Sequence, residues 1–274
     1  TLAKRIRKSL ANSEYENLES QLKIAGNLLG KFHKIMDENL APPIPELWNN
    51  RLKRLEHITA SNTLWRAPHS KHTEAIWTHG DFNFDRIIFD SENGNYKLYD
   101  FSGEPLQSII DSTGRFPAIR DIAYAYRSIA KILHELKIDD KELETNMKKW
   151  LFESWSAEVP DKWANLEALN AYKGGILIWE YDCALNNLFY NQAFEKKNKH
   201  DTLKWLSNVT RIQSVLFKNR SYSALSKTSA TIGFAMLFGW NYVNNYLLIG
   251  AMTFSFITSW IFFKIYHSKA PEPW

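Results

Sequence analysis

Ile76-Trp-Thr-His-Gly-Asp-Phe-Asn-Phe-Asp-Arg-Ile-Ile-Phe-Asp90 is followed, after Ser91-Glu-Asn-Gly-Asn95, by Tyr96-Lys-Leu-Tyr-Asp-Phe-Ser-Gly-Glu-Pro105. Two apolar, β-favouring runs, Arg86 to Asp90 and Tyr96 to Phe101, flank a short loop carrying Asn-Gly, a strong local hairpin signal. The folded hairpin is expected to carry Asp81 in the loop entering its first strand and Asp100 near the exit of its second. Eighteen residues of chain separate these carboxylates, and the hairpin brings them together. Phosphoryl transfer needs that geometry: one carboxylate orients and deprotonates a hydroxyl, while another holds the metal that bridges nucleotide phosphates. Read singly, His79-Gly80-Asp81 is a turn between strands and Asp100 an exposed edge residue; their joint order and spacing favour a paired site.

The surrounding chain of 274 residues, 45% hydrophobic and 14% aromatic, is ample for a sizeable core in one large domain or two small ones. Eleven Trp and twelve Tyr are read chiefly as packing, with some available to line a sugar site. The net charge of +4 is dispersed, without the basic stripe interleaved with aromatics that a nucleic-acid partner would require. Cys183 is the single cysteine, which excludes an intramolecular disulfide or a Cys-rich metal site and fits a reducing compartment.

Residues 14 to 39 place Leu18, Leu22, Ile24, Leu28, Leu29, Phe32 and Ile35 at mixed three- and four-residue spacing, an amphipathic helix little interrupted by Gly26 and Gly30. Ala41-Pro-Pro-Ile-Pro45 is a stiff breaker, and residues 46 to 60 read as another helix. Arg120 to Leu136 repeats apolar positions at helical spacing, with Arg120 and Asp121 at its start read as a cap or ion-pair partner. Helical patterns over 141 to 156, 164 to 178 and 180 to 206 make the body mainly α with one β-hairpin, an α+β chain.

His79-Gly80-Asp81 with Asp100-Phe101-Ser102-Gly103-Glu104-Pro105 resembles the aminoglycoside phosphotransferase and choline kinase superfamily, most closely the maltokinases and their glucosamine-kinase relatives. Gly103-Glu-Pro105 and the later Arg120-Asp-Ile-Ala123 point to the maltokinase branch. The resemblance implies a protein-kinase-like carboxy-terminal lobe over residues 1 to 220, with Asp81 as catalytic base, Asp100 as Mg²⁺ ligand and ATP as phosphoryl donor. Ala25-Gly-Asn-Leu-Leu-Gly-Lys-Phe-His-Lys34 resembles the helix that opens this lobe after the hinge. Nothing before it supplies the strand lysine and phosphate-covering loop of the family's amino-terminal lobe, so the chain reads as a fragment whose nucleotide-binding half lies upstream or on a separate chain.

Two departures from the family pattern bear on chemistry. Five residues after the base, where the family usually has an Asn or Gln metal ligand, stands Arg86, whose guanidinium accepts no hydrogen bond and repels Mg²⁺. Asn83 and Asp85 are the candidate replacement oxygens, since Mg²⁺ keeps several waters; alternatively Arg86 grips phosphate directly, or the site is dead. The helix from Trp179 to Phe194 aligns loosely with one that helps line the acceptor site of the sugar kinases, which makes Glu180, Asp182, Asn186 and Asn187 candidate contacts for maltose or an amino sugar. Much of its usual charge is replaced by neutral groups, so a changed acceptor or relaxed binding is expected.

Thr228 to Phe263 holds 36 residues without an ionisable acid or base. One membrane span needs about 20 apolar residues and two need about 40 plus a turn. The polar patch Asn241 to Asn245 divides the run, which predicts a transmembrane helical hairpin over 228 to 264. Lys218, Arg220 and Lys227 on one flank and Lys264, His267 and Lys269 on the other keep both ends, and the lobe, on the cytoplasmic side of the bilayer. A single span from about Tyr246 to Phe263 is the alternative, and a buried core hairpin the soluble one. Two function classes follow: an ATP-dependent phosphotransferase acting on a sugar hydroxyl, or a membrane-anchored pseudokinase that binds sugar or protein without turnover.

Overall fold

The computed structural model describes residues 1–60, 74–101, 103, 114–164, 176–194, 200–243 and 245–268. The chain forms two compact units, Thr1–Val209 and Thr210–Glu272.

In the first unit, α1 (Leu2–Ala11) buries Leu2, Ile6 and Leu10, which recur every four residues on one face. The sequence reading assigned no element here, and α1 packs against the turn and first strand of the predicted hairpin. Helix α2 (Tyr15–Met36) buries Leu18, Leu22, Ala25 and Leu29, then tightens into a 3-10 turn at Asp37–Asn39. α3 (Pro45–Ile58) begins on the proline, whose fixed φ and missing N–H suit a first turn.

Two small antiparallel pairs follow. β1 (Ile76–Trp77) pairs with β4 (Arg115–Phe116), and β2 (Ile87–Asp90) with β3 (Asn95–Leu98) in the register Ile87↔Leu98 to Asp90↔Asn95. The second pair is the expected hairpin, with Gly94 at φ +66° in its turn. Both strands are shorter than the apolar runs that encode them. Arg86 closes a 3-10 turn, Phe84–Arg86, before β2 begins, and Asp100 at φ +61° turns the chain out of the extended region beyond β3.

α4 (Ile119–Glu135) and α5 (Lys141–Ser156) match the expected helices. α5 carries a conventional cap, the Asp140 carboxylate accepting from Glu142 N and Leu143 N, both at 3.0 Å. The pattern over 164 to 178 falls largely outside the described residues, between the short α6 (Asp161–Ala164) and α7 (Ile176–Ala193). The pattern over 180 to 206 is two helices, α7 and α8 (His200–Ser207). The core lies where α2 meets α5 and where α4 meets α7, with Trp48, Trp155 and Trp179 buried in it.

The second unit is a pair of long helices, α9 (Val209–Val243) and α10 (Tyr246–Ser268). Serines tie them: Ser226 Oγ donates to Ser259 O at 2.9 Å, Ser259 Oγ to Ser226 O at 2.8 Å, and Ser255 Oγ to Ser229 O at 2.8 Å. These pairings run antiparallel, and Gly233 lets α9 approach the Phe256 ring. Phe238, Tyr246, Leu247, Phe254 and Trp260 face outward. Among the described residues, α10 is the one helix long and apolar enough to cross a membrane; the apolar half of α9 is shorter.

Candidate active site

The loop between β1 and β2 is held by a buried chain of hydrogen bonds through three helices. Trp155 Nε1 donates to His33 Nδ1 at 2.9 Å. An indole N–H is only a donor, so Nδ1 is the acceptor and His33 Nε2 carries the proton that it donates to Asp121 Oδ2 at 3.0 Å. Asp121 also accepts from His79 N at 2.7 Å and from Gly80 N at 3.0 Å. His33, His79 and Asp121 have no exposed surface.

Of the two structural roles expected of it, Asp121 does not take that of helix cap; it pairs with His33 and fixes the backbone of the His-Gly-Asp loop from behind. Burial alone would raise its pKa, but the hydrogen bonds from His33 and His79 N outweigh that and hold its carboxyl below the usual range. Gly80, at φ +83°, lets its N–H turn back toward Asp121 while the chain continues to Asp81. His79 ties the loop to the end of the hairpin, its Nε2 donating to Tyr99 O at 3.1 Å and its ring lying 5.1 Å from that of Phe101.

Asp81 and Asp100 meet as expected, but with Arg86 between them. Arg86 Nη2 lies 3.0 Å from Asp81 Oδ2, and Nη1 pairs with Asp100 Oδ2. Burial pushes the Asp81 carboxyl above its ordinary pKa despite the opposing hydrogen bond and charge of Arg86. The other two candidate metal ligands are turned to different tasks. Asn83 Oδ1 accepts from Asp85 N at 3.0 Å while its Nδ2 donates to Asp81 O at 3.1 Å, so its amide caps the 3-10 turn. Asp85 faces α1, accepting from Thr1 Oγ1 at 3.2 Å with Arg7 3.9 Å away.

Among the described residues no group of three His, Cys, Asp or Glu side chains is placed to hold a metal ion. Mg²⁺ requires converging oxygens in near-octahedral array. The carboxylates that would converge are bridged by a guanidinium, so this arrangement does not fit Mg²⁺.

A cleft of about 470 Å³ opens in front of Asp81, bounded by Asn83, Asp85 and Arg86 on the loop side. Its far wall comes from α4 through Tyr124, Arg127, Ser128 and Lys131, and from α7 through Asn187, Tyr190 and Asn191. Of the four candidate substrate residues, Asn187 lines this cleft. Asn186 is buried behind it, its Nδ2 donating to Tyr124 Oη at 3.3 Å. Glu180 and Asp182 are core residues on the same helix. Asp182 lies 3.3 Å from Arg51 and 3.9 Å from Arg120, and burial raises the pKa of Glu180 against the pull of Lys148 and Arg127. α7 is apolar or buried on nearly every side through its first three turns, so its charged residues face neighbouring helices there rather than a ligand. The α4 side of the cleft was not foreseen; a signal existed in Tyr124, Arg127, Ser128 and Lys131, which share a helical stripe.

The fold, a helical lobe carrying this loop and hairpin, is similar to that of solved kinase structures. The chain is similar to a glucosamine kinase with a TM-score of 0.53 at 15% identity, over 77% of this chain and 57% of that one. It is equally similar to a glucosamine kinase in complex with glucosamine, ADP and inorganic phosphate, with a TM-score of 0.53 at 15% identity over 81% of this chain and 61% of that one. The chain thus spans less than two thirds of the length of these kinases. No protein-family model matches it.

Proposed function

We propose that this chain is the acceptor-binding lobe of a sugar kinase related to maltokinase, tethered to a membrane by its carboxy-terminal helices. The observation that carries the reading is Asp81, fixed from behind by the Trp155–His33–Asp121 relay and opening onto the cleft beside Asn187. A carboxylate with raised pKa is suited to take a proton from a hydroxyl. In the proposed step the sugar oxygen attacks the γ-phosphorus of ATP, its proton passes to Asp81, the bond between the γ-phosphorus and the bridging oxygen breaks, and ADP leaves. An amino-terminal lobe, on preceding residues or on a separate chain, would hold the nucleotide. The complex of a similar kinase with glucosamine, ADP and phosphate supports a sugar acceptor and a nucleotide donor. Maltose and amino sugars are the acceptors to try.

α10, with the serine-tied α9 beside it, supports the membrane tether. Helix pairs in lipid associate through small residues and interhelical hydrogen bonds, as here. Cations flanking both ends of the uncharged run support a cytoplasmic position for the lobe.

Arg86, paired with both Asp81 and Asp100, favours a second reading, a pseudokinase that binds sugar or a protein partner without turnover. The kinase reading, and the pseudokinase in its sugar-binding form, put sugar in the cleft. Calorimetric titration of the full chain in detergent with maltose and with glucosamine should show saturable binding of one of them. Asn187→Ala should weaken it about three- to tenfold, the worth of a neutral hydrogen bond, whereas Glu180→Gln should leave it nearly unchanged. Equal loss in both variants would move the sugar away from the cleft.

A further inference from the structure

Arg86 is fixed by its backbone as well as by its side chain. Its N–H donates to Asn83 O at 2.9 Å and its carbonyl accepts from Tyr99 N at 3.0 Å, which extends the hairpin pairing by one residue beyond Ile87↔Leu98. The guanidinium therefore leaves a rigid site and reaches both carboxylates at once. All three side chains are less than a third exposed. The remaining candidate oxygens for an ion are committed elsewhere, Asn83 Oδ1 to the backbone of Asp85 and the Asp85 carboxylate to Thr1. A guanidinium is permanently charged, donates in a planar fork that matches carboxylates, and never acts as a ligand. It neutralises the developing carboxylate repulsion that a divalent ion would otherwise relieve, and opposes the entry of such an ion.

We propose that Arg86 is a resident cation standing in the divalent-metal position, so that this centre excludes Mg²⁺ and presents an entering phosphate group with a guanidinium instead. The proposal rests on reading Asp81 and Asp100 as the phosphotransfer pair, but its test contains neither nucleotide nor sugar, so it can fail without that reading failing.

Mn²⁺ alone is titrated into the full chain in detergent and followed by electron paramagnetic resonance. The native chain should bind no more Mn²⁺ than Asp100→Asn. Arg86→Gln, which supplies an amide oxygen in place of the cation, should bind Mn²⁺ at least about tenfold more tightly than the native chain, and adding Asp100→Asn should abolish that gain. Mn²⁺ held by the native chain and lost in Asp100→Asn overturns the proposal, whether or not the Arg86 variant folds. A folded Arg86→Gln chain, judged by its circular dichroism, that gains no Mn²⁺ overturns it as well.

Discussion

Asp121 takes three hydrogen bonds in a fully buried position, and the loop that carries Asp81 hangs from two of them. Removing that carboxylate strands a ring N–H and two backbone N–H groups out of reach of water. Breaking a buried, charge-assisted set of this kind costs about 3–5 kcal/mol. Because its pKa is depressed in the fold, the carboxylate contributes its full stabilisation above the unfolded value of about 3.9 and loses it as pH falls through the lower folded value. Asp121→Asn should therefore be less stable than the native chain at neutral pH, and urea unfolding of both should show the gap closing below about pH 4. A gap that stays constant into acid would mean that the carboxylate's charge is not what holds the loop. The closeness of Asp81 and Asp100 was legible because a hairpin folds their neighbourhood locally. The role of Asp121 was not, since its partners lie 41 to 88 residues away in sequence, on a second helix and on the loop, and only tertiary packing brings them together.

The same distinction separates the elements. The hairpin, α2, α3, α4 and α5 follow from periodicity and turn chemistry, with ends shifted where a local feature intervenes, such as the positive φ of Asp100. α1 escaped because a ten-residue helix with three large apolar anchors, Leu2, Ile6 and Leu10, is a weak pattern until the surface it covers is known. The two glycines of α2 looked incidental and are not. A Cβ on Gly26 would sit 2.3 Å from Leu151 O and 2.4 Å from Ser154 Oγ, and one on Gly30 would sit 2.6 Å from Glu158 Cβ. They let α2 and α5 approach closely enough for Trp155 to reach His33. Gly26→Ala cannot be relieved by a flexible side chain, because the first obstacle is backbone, and forced overpacking costs about 1–3 kcal/mol. Chemical denaturation should register that loss, and the variant should also loosen the Asp81 loop, seen as faster amide exchange at His79 and Gly80. Native stability in Gly26→Ala would contradict this account of the α2–α5 contact.

For the whole molecule, the uncharged run was legible because composition alone reports it, while the choice between one span and two rested on a few polar residues at its centre. Serine bonds pair α9 with α10, and among the described residues α10 alone is long and apolar enough to cross a membrane. The full chain should stay with membranes through carbonate extraction, and a chain ending near Arg220 should be released. A tag after Trp274 should share the protease accessibility of the lobe if both helices span; recovery of the whole chain as a monodisperse soluble protein without detergent would return residues 228 to 263 to a protein core. The central claim is that Asp81 directs a sugar hydroxyl at a phosphoryl donor. Its most direct test is mass spectrometry of maltose and glucosamine incubated with ATP and the chain, joined to a nucleotide-binding lobe, in native and Asp81→Asn forms. A phosphorylated sugar from the native protein, reduced at least about a hundredfold in Asp81→Asn, is the predicted result. Sugar phosphate formed at the native rate by Asp81→Asn, or none from either protein, would contradict it.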